Sequence, residues 1–273
     1  MRILSITEPI VEIPFLNAGK GAGGYYVDSL PVHDAIVDEL PSGLDAIVAT
    51  ADLQGRETFD GKYAGPPRLL GEVLPSILAN EVYPLFDQPF ERTAALLAGD
   101  FYTVPNLDKR GGSGDVTSVW NAFGERFDWV AGVAGNHDTF GSERDDIPQF
   151  PSFMHYLDNH RVELDGMKIA GLGGIVGNPK RLQRKTEEQY LEQLADVIGE
   201  PTDVLIMHDG PNAPEQRFRG NSQVRWLIEE MKPSLVVRGH AHWAQPLVQL
   251  TPDVPVLNVD ARCVIMRTDS PNS

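Results

Sequence analysis

Short apolar runs punctuate this chain, and each ends abruptly in glycine or a polar residue. Leu44 to Thr50 runs into Ala51-Asp52, Thr93 to Ala98 into Gly99-Asp100, and Asp128 to Val133 into Gly135-Asn136-His137-Asp138. Val204 to Met207 runs into His208-Asp209, and Leu235 to Val237 into Arg238-Gly239-His240-Ala241-His242. Runs this short, rich in Val, Ile, Leu and Ala, predict strands buried on both faces. Between them the period becomes helical. Leu70, Val73, Leu74, Ile77 and Leu78 share a face, with Pro75 expected to kink or restart the helix. Tyr190, Leu191, Leu194, Val197 and Ile198 form a second stripe, closed by Gly199 and Pro201. Val224, Leu227, Ile228 and Met231 form a third, closed at Lys232-Pro233. Val162 to Val176 has no helical period and reads as antiparallel strand pieces with Gly-rich turns. Strands alternating with helices predict an α/β layered fold. No repeat or long linker interrupts the pattern, so residues 1–273 read as one domain, with 1–43 an N-terminal extension packed on it.

The composition changes this picture little: 273 residues, 41% hydrophobic and 23% charged, are ordinary for a globular chain. No stretch approaches the roughly 18 apolar residues of a membrane span. Glu8 and Glu12 fall where a secretory leader needs an apolar core, so no signal peptide is read and a cytoplasmic location is expected. The charge is more informative. Twenty-three Lys and Arg against 39 Asp and Glu give a net charge of -16. Such a surface repels polyanions, which argues against stable binding of duplex nucleic acid. A small phosphorylated substrate remains compatible, because bound cations reverse the local field. The single Cys263 has no partner for an internal disulfide, fits a reducing compartment, and reads as a small buried hydrophobe.

The candidate chemistry lies in position. Each of the five strand-like runs delivers a ligand-type residue at its C-terminal end, the edge where open α/β sheets bind ligands. One Asp at a strand end is usually a turn former or helix cap. Five such ends, all offering oxygen or imidazole donors, suit a divalent metal such as Mn, Fe, Zn, Ni or Mg.

In order, Asp52-Leu53-Gln54, Gly99-Asp100, Gly135-Asn136-His137-Asp138, His208 and Gly239-His240-Ala241-His242 resemble the motif series of the calcineurin-like metallophosphoesterases. Gly-Asn-His-Asp and Gly-His-x-His are the specific members of the series. The resemblance implies a four-layer α/β/β/α sandwich of two mixed sheets flanked by helices, with the metal site at the C-terminal ends of strands. It implies hydrolysis of phosphate monoesters or diesters at a centre of two divalent ions, Mn favoured, with metal-bound hydroxide as nucleophile. Asp100 would bridge the ions. Asp52, Gln54 and His242 would complete one site, and Asn136, His208 and His240 the other. His137 would serve as general acid or phosphate contact, with Asp138 orienting its ring. Two cations clamping phosphoryl oxygens agree with that chemistry.

Three features depart from the family pattern. Gln54 stands where a His is usual, and an amide oxygen is a weaker ligand than imidazole. It leaves that site loosely bound, or shifts it toward a harder ion, or contacts the metal through water or not at all. No second acid follows Asp100. About fifty residues precede Asp52, and the extra segment is either a lid or an edge element. The first two departures motivate an alternative, a metal-binding scaffold or regulatory protein with weakened turnover.

Other signals carry less. Gly19 to Gly24 lacks the P-loop order and reads as a turn. Gly171 to Gly177 reads as close backbone packing. Arg56 is either a bidentate phosphate contact or a surface partner of Glu57 or Asp60. Lys180-Arg181 and Arg184-Lys185 form a basic run that is either a phosphate-facing rim or a solvated helix start. Asp115 reads as a helix N-cap, and His33, His155 and His160 as structural or surface residues.

Overall fold

The computed structural model describes residues 1–19, 24–58, 67–141, 143 and 146–269; Lys20 to Gly23 of the glycine-rich stretch and Asp60 lie outside them. In chain order the large-sheet strands are β1 (Ile3–Ile6), β2 (Val11–Ala18), β3 (Tyr25–Val37), β4 (Ala46–Ala51), β5 (Gly55–Glu57), β6 (Thr93–Leu97), β7 (Trp129–Gly132) and β8 (Met154–Tyr156). There follow β9 (His160–Leu164), β10 (Met167–Leu172), β11 (Val204–Met207), β12 (Leu235–Arg238), β13 (Leu247–Thr251), β14 (Val254–Asn258) and β15 (Arg262–Arg267). The first sheet runs β8-β7-β6-β4-β15-β3-β2-β5, with β1 on β3; the second runs β9-β10-β11-β12-β14-β13. β4, β6, β7 and β8 are mutually parallel, as are β10, β11, β12 and β14, and antiparallel β9 and β13 close the edges of the second sheet.

Period-two alternation sorts the same strands into three cores. Ile47, Ala49, Leu96 and Ala131 face Ile169, Val204, Ile206 and Val237 between the sheets. Val48, Ala95 and Leu97 face outward under α1 (Leu70–Ile77) and α2 (Thr117–Gly124). Leu205, Met207 and Val236 face outward under α3 (Glu187–Val197) and α4 (Ser222–Met231). The result is the expected α/β/β/α stack, and burial on both faces is why the strands read as unbroken apolar runs.

Local differences from the sequence reading have local causes. α1 runs through Pro75 and gives way at Leu78–Val82 to a π-helical turn, so the proline produces widening rather than a break. The N-cap of α2 is Val116, not Asp115; the Asp115 carboxylate, one residue earlier, accepts from the Thr117 amide at 2.8 Å. Arg184-Lys185 is a two-residue strand beside Ile175-Val176, and Lys185 Nζ donates to Asp158 Oδ1 at 2.6 Å. His33 Nδ1 meets the Thr7 carbonyl at 2.9 Å, a structural contact. Residues 3–37 supply three strands of the first sheet, with β3 registered on β15 from Val32 opposite Cys263 to Ile36 opposite Arg267.

Candidate metal centre

Each ligand-bearing loop turns sharply where its strand ends. Asp52, Asp100 and His240 have φ of 55, 61 and 67°, left-handed conformations that cost non-glycine residues about 1 kcal/mol or more and persist where surrounding bonds hold them. Those bonds are present. The Asp52 amide donates to the Gly99 carbonyl at 2.8 Å, and Asp52 Oδ2 accepts from the His240 amide at 2.8 Å. Asp100 Oδ1 accepts from the His137 amide at 2.8 Å. Two glycines make room: a Cβ on Gly135 would lie 2.1 Å from Asp100 Oδ1, and one on Gly239 2.4 Å from Asp52 Oδ2. The glycines of Gly-Asn-His-Asp and Gly-His-x-His therefore let carboxylates reach across from neighbouring loops.

The donor atoms of Asp100, His208 and His240 lie within 4.8 Å of one another, and among the described residues this is the one such group of three. His208 Nδ1 donates to the Ala98 carbonyl at 2.7 Å, which turns Nε2 toward Asp100 Oδ2 at 3.3 Å. Asn136 Oδ1 is buried without a hydrogen-bond partner. Buried polar atoms are normally paired, so this orphan, next in sequence to the His137 amide that bonds Asp100, needs explaining. The electrostatics point the same way. Burial, then the carboxylates of Asp260 and Asp100, hold Asp52 well above the usual carboxylate range. Burial opposes charge on His208, but Asp100 and Asp52 outweigh it and push that imidazole up to about 10. Burial and the charge of His208 push His240 down to about 4. A bound cation would relieve the burial and repulsion that raise Asp52. Carboxylate, amide oxygen and imidazole are a donor set that fits a divalent cation of the harder or borderline kind.

The other expected ligands, Gln54 and His242, are more loosely arranged. Gln54 Nε2 donates to Asp100 Oδ2 at 3.4 Å. His242 Nδ1 lies 3.2 Å from the Asp260 carbonyl and 3.4 Å from Asp260 Oδ1, while Arg262 Nη2 donates to His242 Nε2 at 3.0 Å. Asp52, Gln54, His240, His242 and Asp260 line one cavity of about 570 Å³.

Two expected roles are corrected. Asp138 does not orient the His137 ring. Its fully buried carboxylate accepts from the backbone amides of Asp100 at 2.7 Å, Phe101 at 2.8 Å and Gly135 at 2.9 Å, and so ties together the two loops on which Asp100 and Asn136 stand. Burial and the nearby Asp100 push its pKa up to about 6. The His137 ring instead meets Ser113, with Nδ1 3.4 Å from Oγ. Arg56 does not face a phosphate. It is buried, and its guanidinium donates to the carbonyls of Thr103 at 2.6 Å, Pro67 at 2.6 Å and Val104 at 3.2 Å. Every nitrogen is spent on loop backbone.

The same strand-end order is what defines a family. A family model, Metallophos (calcineurin-like phosphoesterase), matches residues 46–244, well over half of the chain. The chain belongs to the calcineurin-like phosphoesterase family. At that level its activity is metal-dependent hydrolysis of phosphate esters, and divalent metal ions are its cofactors. Similar solved structures include the protein TT1561 of Thermus thermophilus, with 16% identity, TM-score 0.50, and coverage of 80% of this chain and 90% of that one. A phosphopantetheinyl hydrolase from Mycobacterium tuberculosis has 12% identity and TM-score 0.44 over 80% of this chain and 89% of its own. A 5'-nucleotidase from Candida albicans has 13% identity and TM-score 0.41 over 78% and 44%. No curated protein matches the chain. Among the described residues no helix is long and apolar enough to cross a membrane.

Sequence reading missed Asp260 and Ser113. Asp260 follows the apolar run Val254 to Val259, pairs by a parallel bridge with Ala51, and so arrives beside Asp52. Its signal was the one that marked Asp52 and Asp100, an apolar run ending in a carboxylate. Ser113 lies in a Gly/Ser loop that gave no signal.

Proposed function

We propose that this calcineurin-like phosphoesterase is an active hydrolase of small phosphate esters, built as one functional unit over residues 1–273. The supporting observation is the convergence of Asp100, His208 and His240 within 4.8 Å, together with a buried Asn136 oxygen that has no hydrogen-bond partner. Asn136, His208 and His240 would hold one divalent ion with Asp100. Asp52, Gln54 and His242 would hold a second, shared through Asp100, once Arg262 yields the His242 ring. Bound ions would supply Lewis-acid polarisation of the phosphoryl group and activation of water at neutral pH. The chain's own residues do the rest. Asp138 holds the Asp100 and Asn136 loops in register. The Ala98 carbonyl fixes the His208 ring. His137, next to Asn136, contacts the phosphate or delivers a proton to the leaving oxygen, with Ser113 steadying its ring. Manganese is the ion we expect.

The test is hydrolysis of aryl phosphate mono- and diesters by Mn-loaded protein, with metal content measured on the same sample. Wild type should turn over at least one ester. His208→Ala should lose metal and at least ~100-fold of kcat/KM, consistent with loss of a metal ligand. Silence of wild type with every divalent ion would defeat the hydrolase reading. The looser Gln54/His242 half favours one second reading: a scaffold that binds metal without turnover. Two ions bound and no hydrolysis would support it.

A further inference from the structure

The cavity beside the candidate centre has a second wall, and the segment ahead of Asp52 makes it. Glu12, Asn17, Ala18, Tyr26 and Asp28, all on β2 and β3, line the same cavity as Asp52 and His240. Arg110 and Gly111 line it from the loop after Asp100. Among the described lining residues Arg110 is the one Lys or Arg side chain, and it shares the cavity with the carboxylates of Glu12, Asp28, Asp52 and Asp260. Arg110 Nε donates to the Ala18 carbonyl at 2.7 Å, Nη2 donates to Tyr26 Oη at 2.9 Å, and the guanidinium lies 5.5 Å from the Tyr26 ring centroid. The hairpin thus aims the guanidinium. Its loop also runs against His137: a Cβ on Gly111, where φ is +67°, would sit 3.3 Å from His137 Cε1.

We propose that Arg110 is the substrate-binding cation of this site, the role that Arg56 cannot fill, and that it selects small phosphate monoesters. The inference rests on the hydrolase reading above. Three arguments carry it. A volume of about 570 Å³ is the size of a small-molecule pocket, about 300–1,000 Å³. A planar guanidinium held by two bonds is pre-aimed for phosphate oxygens and favours the more highly charged monoester over the diester. Glu12 and Asp28 repel a second phosphate, so the leaving group is an alcohol bearing hydroxyl or amino groups rather than a further phosphate.

The experiment compares wild type, Arg110→Ala and Arg110→Lys, all Mn-loaded and matched for metal content. Binding of inorganic phosphate is measured by calorimetry, and kcat and KM are measured on paired aryl mono- and diesters. Arg110→Ala should weaken phosphate binding and raise the monoester KM by ~10- to 100-fold, the range of one or two charge-assisted bonds. The diester KM should move much less, and Arg110→Lys should recover part of the loss. A residue that only straps the loop to the hairpin would lower the melting temperature while leaving phosphate affinity and the monoester-to-diester preference at wild-type values, and that result overturns the proposal. A wild type that hydrolyses neither ester instead brings down the hydrolase reading and this inference with it.

Discussion

At the scale of single residues, burial decides which groups can do chemistry. Cys263 lies on β15 with no exposed surface, and burial pushes its thiol up to about 12 from an ordinary 9.0. The folded chain therefore favours the neutral thiol. That contribution is complete below pH 9 and is lost as pH rises toward 12, at up to ~1.4 kcal/mol per unit. Urea unfolding at pH 8 and pH 10.5 should show wild type losing more stability than Cys263→Ala, and native thiol should resist alkylation at pH 8. Equal losses in the two proteins would remove this account. The same logic separates Arg56 from Arg110. Both are basic residues that follow a candidate ligand in the chain, Arg56 after Gln54 and Arg110 after Asp100, and the sequence reading singled out Arg56 alone. What the spacing does not carry is where the Thr103, Pro67 and Val104 carbonyls fall, and those carbonyls consume Arg56. Asp138 was misjudged for the same reason: its position after His137 was legible, whereas the three amides that face its carboxylate come from the fold.

At the scale of elements, legibility follows burial. β4, β6, β7, β11 and β12 are covered on both faces, so hydrophobicity alone marked them and the ligands at their ends. β2 and β3 are half exposed and contain Pro14 and Pro31, and β3 pairs with the far end of the chain, Val32 opposite Cys263, so no local pattern announced them. The start of α3 is a cap built from sequence neighbours that the sequence reading did not single out. Thr186 Oγ1 accepts from the Gln189 amide at 3.2 Å while Gln189 Oε1 accepts from the Thr186 amide at 3.1 Å, a reciprocal capping box. α3 then buries Tyr190, Leu194 and Val197 on the second sheet, and the Tyr190 hydroxyl donates to the Asp209 carbonyl at 2.7 Å, one residue past His208. Thr186→Ala should cost ~1 kcal/mol, read as a lower urea midpoint at unchanged m-value. Metal content should be unaffected, because the helix body still packs. A loss of metal with the cap would mean that α3 positions the His208 loop far more directly than its contacts suggest.

At the scale of the whole molecule, the candidate centre is a joint between the sheets. Asp52, Asp100 and Asn136 follow strands of the first sheet, and His208 and His240 follow strands of the second. The interface between those sheets is almost entirely aliphatic, with Ile47, Ala49, Leu96, Val204, Ile206 and Val237 giving it packing but no charge compensation. The buried carboxylates sit at one end of it, in a chain of net charge -16 whose self-repulsion opposes compaction. A cation held by ligands from both sheets would bind the native state and not the unfolded chain. Mass action then stabilises the fold by about 2.7 kcal/mol at a free-metal concentration 100 times Kd. Chelation should lower the melting temperature by several degrees, and Mn should restore it. His208→Ala, which removes the ligand contributed by β11, should lose most of the Mn-dependent gain while its chelated form melts near chelated wild type. If Mn raised both proteins equally, the effect would be screening of the acidic surface, because monovalent salt at matched ionic strength would then reproduce it. A gain that is specific to Mn, absent in His208→Ala and not mimicked by salt can arise only from ions held between the two sheets.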